Sequence, residues 1–236
     1  MDPYFQQLLA GRDFGRVNPF AVQMANFIYL IGDRDSRECI VVDPAWDVPA
    51  VLERVDRDGM KLVGALVTHF HPDHVGGDFF GQAIQGLPDL AAKRPVPFYA
   101  NKEEIEGLCV VTGLSRSDFK PVESGDSLQV GGASIRFIHT PGHTPGSQCF
   151  LVDGKELVSG DTLFIGACGR VDLPGSDPEK MYESLTQKLA KLPDDVILYP
   201  GHDYGDRPSA PLGDEKRTNV YLKPRSLQDW LRLRGG

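Results

Sequence analysis

An α/β fold is what the sequence predicts. Short apolar runs of strand length alternate with stretches of helical periodicity, turn residues separate them at close intervals, and no repeat or low-complexity tract breaks the alternation. Residues 26–31 and Glu38–Val42 are apolar runs split by Gly32-Asp33-Arg34-Asp35-Ser36, which predicts a hairpin. Residues 48–58 put Val51, Leu52 and Val55 on one helical face, and 62–68 follow as a strand of buried type. A helix is expected at 101–111, then strands at Ser127–Val130 and 134–138 about the turn Gly131-Gly132. Gln148–Val152 and 156–158 meet at Asp153-Gly154, the strongest hairpin signal in the chain. The best helix is 178–191: Asp177 can cap it, Pro178 suits its first turn, and Met181, Leu185 and Leu189 recur every four residues. A strand at 196–199 follows. Ser226, with Asp229 three residues on, introduces a last helix carrying Leu227, Trp230 and Leu231.

Composition bounds the function. With 236 residues, 41% of them hydrophobic and 25% charged, the chain is of ordinary globular make-up and reads as one domain, 1–236. Its net charge of −8 has the wrong sign for gripping phosphate backbones, so nucleic acid is not an expected partner. The longest purely apolar run, 27–31, is far short of the roughly 20 residues that span a bilayer, so no membrane segment is expected. The start Met1-Asp2-Pro3-Tyr4 lacks a basic, then apolar leader, and a cytoplasmic location is the expectation. Cys39, Cys109, Cys149 and Cys168 are widely spaced and read as reduced thiols. Residues 81–97, broken by Gly86, Pro88, Pro95 and Pro97, read as an inserted loop and, following a cluster of histidines, as a lid.

Three of the six histidines fall within six residues, in Thr68-His69-Phe70-His71-Pro72-Asp73-His74. His143 and His202 lie in similarly framed turns, Pro141-Gly142-His143-Thr144-Pro145-Gly146 and Pro200-Gly201-His202-Asp203, each after an expected strand. Imidazoles and carboxylates at strand ends are how a rigid scaffold aims ligands at one point, and neutral imidazole is the commonest zinc ligand. His69 and His71, two apart, are expected on one side of the chain, and the adjacent Asp73 and His74 to point apart. Two ligand sets, and two metals, follow from that pattern. His139 lies outside this framing and is expected to be an ordinary surface histidine.

The succession T-H-F-H-P-D-H-V-G-G, P-G-H-T-P-G-S, S-G-D-T-L-F and Y-P-G-H-D-Y-G resembles the metallo-β-lactamase superfamily, and within it the glyoxalase II and persulfide dioxygenase branch, over about residues 26 to 205. The resemblance implies an αβ/βα sandwich: two mixed sheets face to face, helices on the outer faces, and a metal site at one edge. It assigns His69, His71 and His143 to one metal, Asp73, His74 and His202 to a second, and Asp161 to both. Asp73 and Asp161 are then the carboxylates nearest the chemistry, and Asp43 fixes the loop or a ligand. Two Zn²⁺ per chain would hold a water whose pKa falls to about 7, and the resulting hydroxide would attack a thioester or ester of a small acyl-thiol. Arg170, in Cys168-Gly169-Arg170, is the expected contact for acidic groups of the substrate. Tyr204 is a further candidate, whereas Tyr182 is expected in the core.

Full-length glyoxalase II enzymes carry a helical C-terminal extension that builds much of the glutathione site. Only 34 residues follow His202 here, and 206–236 are expected to close the sandwich instead. The alternative activity is that of a persulfide dioxygenase, with one Fe²⁺ held by His69, His143 and Asp161 and glutathione persulfide as substrate. The segment Arg170-Val171-Asp172-Leu173-Pro174-Gly175 is more similar to that of generic hydrolases. A second alternative is a non-catalytic metal-binding protein of the same fold, which seven intact ligand positions disfavour.

Overall fold

Alternation along each strand sorts the apolar side chains into layers. The computed structural model describes residues 2–234. Its first sheet takes β1 (Pro3–Leu9), β2 (Phe27–Asp33), β3 (Glu38–Val42), β4 (Lys61–Leu66), β5 (Phe98–Asn101) and β6 (Phe119–Val122), side by side in that order. Strands β1 to β3 pair antiparallel and β3 to β6 parallel. The second sheet takes β7 (Ser127–Val130), β8 (Ala133–His139), β9 (Gln148–Val152), β10 (Glu156–Gly160), β11 (Ile197–Pro200) and β12 (Ala210–Pro211), again in chain order, with β10 and β11 parallel and the other neighbours antiparallel.

Phe27, Tyr29 and Ile31 of β2 and Ile40 and Val42 of β3 face the second sheet, where Ile135, Phe137, Phe150 and Val158 meet them. The intervening residues Ile28, Leu30 and Val41 face outward, onto α2 (Val48–Arg57), α4 (Leu87–Lys93) and α5 (Ile105–Thr112). On the other outer face Leu151, Leu157 and Leu198 meet α6 (Pro178–Glu183), α7 (Leu212–Thr218) and α8 (Leu227–Leu233). The layers are therefore helix, sheet, sheet, helix, the expected sandwich. Two further short helices, α1 (Pro19–Met24) and α3 (Pro72–Val75), lie next to the site described below. Among the described residues no helix is long and apolar enough to cross a membrane, and the four cysteines are free.

Two sequence expectations are corrected. Residues 81–97 are not a plain loop: they hold the return strand Gln82–Ile84 of a hairpin and helix α4, whose Leu87 and Leu90 are buried in the outer core. The cleft described below is lined by Asp78, Phe79 and Phe80, just before this stretch, and by none of residues 81–97. Residues 178–191 are one apolar stripe but not one regular helix. After α6 the chain widens into a π turn, Ser184–Lys188, and tightens into a 3₁₀ turn, Leu189–Lys191. The wide turn lets Ser184 donate to the Pro141 carbonyl at 2.8 Å and Lys188 to that of His139 at 2.6 Å, so it braces the turn that carries His143. Strands β1, β5 and β6 and helices α1 and α7 lack a clean period in the sequence, and tertiary pairing makes them.

Within residues 206–234, β12 forms an edge of the second sheet and α7 and α8 lie on its outer face. Trp230 is fully buried against the cluster of Met181, Leu185 and Leu198. Trp230→Ala is expected to cost about 3–5 kcal/mol of stability, read as a shifted urea midpoint with an unchanged slope.

Candidate metal centre

The carboxyl ends of β3, β4, β8, β10 and β11 lie along one edge of the sandwich, and each runs into a turn that delivers a polar side chain. β3 ends at Asp43 and β4 leads to His69 and His71; β8 leads to His143, β10 to Asp161 and β11 to His202. Helix α3 supplies Asp73 and His74.

His69, His71 and His143 bring one nitrogen each to within 4.8 Å of one another. His71 Nδ1 lies 3.0 Å from His69 Nε2 and 3.0 Å from His143 Nε2. Asp73, His74 and His202 form a second such group, with His74 Nε2 3.1 Å from His202 Nε2. Asp161 stands between the two. One of its oxygens lies 3.6 Å from His143 and 3.3 Å from His202, the other 3.4 Å from His74. Asp73 and His74 do not point apart: Asp73 Oδ2 is 3.4 Å from His74 Nε2. The expectation held for extended chain, but on a helix consecutive side chains are about 100° apart and both reach the same side.

The outward ring nitrogens fix which nitrogen faces inward. His143 Nδ1 donates to the Arg170 carbonyl at 2.8 Å, His202 Nδ1 to the Met24 carbonyl at 2.7 Å, and His74 Nδ1 faces Asp43 Oδ2 at 2.9 Å. Each bond turns Nε2 toward the cluster, the atom that would hold a metal. Asp43 also accepts from the Thr68 amide at 2.8 Å, so it orients His74 and pins the turn that opens the motif, as the sequence suggested. The His139 ring meets the Pro145 carbonyl at 2.9 Å and takes no part in the cluster.

Several supporting residues carry no motif signal. Asn26, buried, donates to Asp73 at 3.0 Å and is itself held by Trp46 Nε1 at 2.8 Å. Glu104 is buried as well, and its carboxylate accepts from the Phe70 amide at 2.7 Å, the Thr144 hydroxyl at 2.7 Å and the Gly146 amide at 2.6 Å. It therefore ties the turn of His69 and His71 to the turn of His143. Gly201 lets the backbone pass against Asp161: a Cβ there would stand 2.4 Å from Asp161 Oδ1.

Burial disfavours charge on His69 and holds it well below its usual range, and burial with neighbouring imidazoles lowers His71 to about 4. Burial acts on His74 too, but Asp73, Asp161 and Asp43 outweigh it and raise His74 to about 10. Burial opposes ionisation of Asp161, whereas His202 and His74 hold it well below the carboxylate range. Ionised carboxylates and inward-facing ring nitrogens share one pocket, and Asp161 Oδ1 is buried with no hydrogen-bond partner among the described residues. That donor set fits divalent metal, with nitrogen and oxygen ligands and no thiolate.

A cleft of about 710 Å³ opens onto this cluster. Tyr204 lies at its mouth, stacked on His202 with ring centroids 4.5 Å apart. Arg170 also reaches the mouth, but its guanidinium grips Asp172 through two bonds of 2.9 and 2.8 Å, and its carbonyl is what serves His143. Tyr182 packs toward Trp230 instead.

The sequence pattern of the metallo-beta-lactamase superfamily matches residues 22–202. The chain belongs to this superfamily. Its relatives there differ in activity. It is 28% identical over 219 residues to the probable polyketide biosynthesis zinc-dependent hydrolase BaeB of Bacillus velezensis, covering 93% of this chain and 91% of that protein. It is 30% identical over 213 residues to the mitochondrial persulfide dioxygenase ETHE1 of Homo sapiens (89% and 76%) and 31% over 198 residues to the hydroxyacylglutathione hydrolase of Dictyostelium discoideum (80% and 66%). The crystal structure of ETHE1 from Myxococcus xanthus matches with a TM-score of 0.79 at 27% identity, covering 99% of this chain and 90% of that one. The metallo-beta-lactamase fold and the branch named from the motifs are both met.

Two expectations follow for the supports. Gly201→Ala drives a methyl group onto Asp161 and should abolish stoichiometric metal binding, measured by elemental analysis, while circular dichroism stays folded. Glu104→Ala strands three buried donors; it should cost about 2–4 kcal/mol and weaken metal about 10- to 100-fold, read by denaturation and chelator competition. Burial holds the Glu104 carboxyl at about 7 against an ordinary 4.5. The folded chain then binds the extra proton between those values, so this group's contribution to stability falls as pH rises through that window. Glu104→Gln should flatten that part of the stability profile.

Proposed function

We propose that the protein is a binuclear metal-dependent hydrolase that cleaves a thioester or ester of a small acyl-thiol. The observation that carries this reading is the second donor group: Asp73, His74 and His202 converge as closely as His69, His71 and His143, and Asp161 lies between them. A single ion on His69, His143 and Asp161 would engage three of these seven residues. The near full-length likeness to a probable zinc-dependent hydrolase supports the same reading. Zinc is the proposed metal, two ions per chain.

Divalent ions held by these residues supply a Lewis acid for the carbonyl and a nucleophilic water at neutral pH. The chain's own part is positional. Asp161 sets the spacing of the two positions, and Asp73, held by the Asn26 amide, keeps a carboxylate at the cleft floor to orient the attacking water. A thiolate is a good leaving group, so this cleavage needs little help from a general acid.

The likeness to persulfide dioxygenases, in sequence and in the TM-score of 0.79, favours a second reading: one Fe²⁺ on His69, His143 and Asp161, oxidising glutathione persulfide. Elemental analysis of protein purified without added metal, with thioester hydrolysis and oxygen uptake on glutathione persulfide, separates the two. Two zinc ions with hydrolysis support the proposal; one iron with oxygen uptake overturns it. Asp161→Ala is expected to lose at least 10³-fold in hydrolysis together with its metal, and retained activity at normal metal content would refute the bridging role.

A further inference from the structure

We infer that the substrate carries an uncharged apolar chain or ring of several carbons, seated against Phe79, Phe80, Phe164 and Leu173, and that a charged tripeptide thiol is not what the cleft selects. The inference rests on the hydrolase reading above and gives it a substrate class.

Away from the metal-site side chains, the cleft wall is formed mainly by Met24, Phe79, Phe80, Phe164, Ala167 and Leu173. A carbonyl at the cluster has its substituent running directly onto this wall, because the Phe164 ring lies 5.9 Å from that of His202 and 5.7 Å from that of Tyr204. Apolar surface covered there gains from leaving water. Among the described residues, histidines aside, Arg170 is the one cation lining the cleft, and Asp172, bonded to it twice, offsets its charge. Asp78 adds negative charge at the same lip. A peptide thiol with free carboxylates finds no built partner on this wall.

The lip itself is shaped for apolar contact. Phe80 is 89% exposed, with φ of +52° at the tip of the hairpin Gly77–Phe79/Gln82–Ile84. A bulky side chain rarely adopts that conformation, and Asn or Gly would hold the turn more easily. Phe79 packs against Phe80, with centroids 4.8 Å apart, and edge-on to Trp46 at 6.1 Å. Trp46 in turn holds Asn26, so the lip is fixed to the metal cluster. On the opposite side the hairpin that bears Phe164 is braced by Asn219, which donates to the carbonyls of Phe164 and Ala167, and by Glu215, which accepts from Gly166. Both walls are tied to buried side chains, and both present carbon.

The test is titration calorimetry of the metal-replete full chain with S-alkyl thioethers of N-acetylcysteamine, ethyl to hexyl, and with S-hexylglutathione. Kd is expected to fall roughly two- to fourfold per added methylene, with S-hexylglutathione no tighter than the neutral hexyl thioether. Phe80→Ser and Leu173→Ser should each flatten the slope, and Val17→Ser, an exposed apolar residue outside the cleft, should leave it intact. A Kd independent of chain length, or a glutathione conjugate at least tenfold tighter, overturns the inference. Turnover of the matching acyl thioesters is measured separately. A binding slope with no turnover of any thioester refutes the hydrolase reading and upholds the apolar seat; turnover without a slope does the reverse.

Discussion

Asp161 carries a charge at the floor of the cleft, with one oxygen that no donor among the described residues satisfies, and the edge of the sandwich is organised about that oxygen. A carboxylate withdrawn from water costs several kcal/mol unless positive charge answers it. The structure answers with imidazoles from separate turns, aimed by a carbonyl or carboxylate on the far side of the ring in His74, His143 and His202. The sheets supply what this arrangement needs, which is stiffness. Strand ends locked by β pairing hold the turns at distances that loops alone would not keep.

The site is more legible than its surroundings. His69, His71, Asp73, His74, His143 and His202 can be gathered from sequence because imidazoles concentrated at glycine-framed turns suit a metal cage and serve no purpose in an ordinary solvated loop. Asp161 alone looks like a turn residue, and only the resemblance marks it. The scaffold is legible where one face of an element is buried: Glu38–Val42, Ser127–Val130 and Gln148–Val152 match the expected strands residue for residue. Strand β1 and the short parallel strands β5 and β6 are illegible, since neighbours rather than local pattern define them.

Glu104, Asn26 and Trp46 escape for a related reason. Nothing in Asn101-Lys102-Glu103-Glu104 marks the last residue as a buried carboxylate; only the approach of two distant turns makes it one. Residues 81–97 mislead in the opposite direction. Glycine and proline break the periodicity, but the fragments between them still bury Ile84, Leu87 and Leu90. Arg170 shows what residue type leaves out: its main-chain carbonyl orients His143, while its guanidinium lies in an exposed pair with Asp172.

The division of labour between the two sheets has an outcome for biogenesis. The amino-terminal sheet brings His69, His71, Asp73 and His74; the carboxy-terminal one brings His143, Asp161 and His202. Neither half alone offers a complete cage. An intermediate in which only the first sheet has formed therefore exposes a partial, weak chelate, and tight ion capture waits for the docking of the two layers.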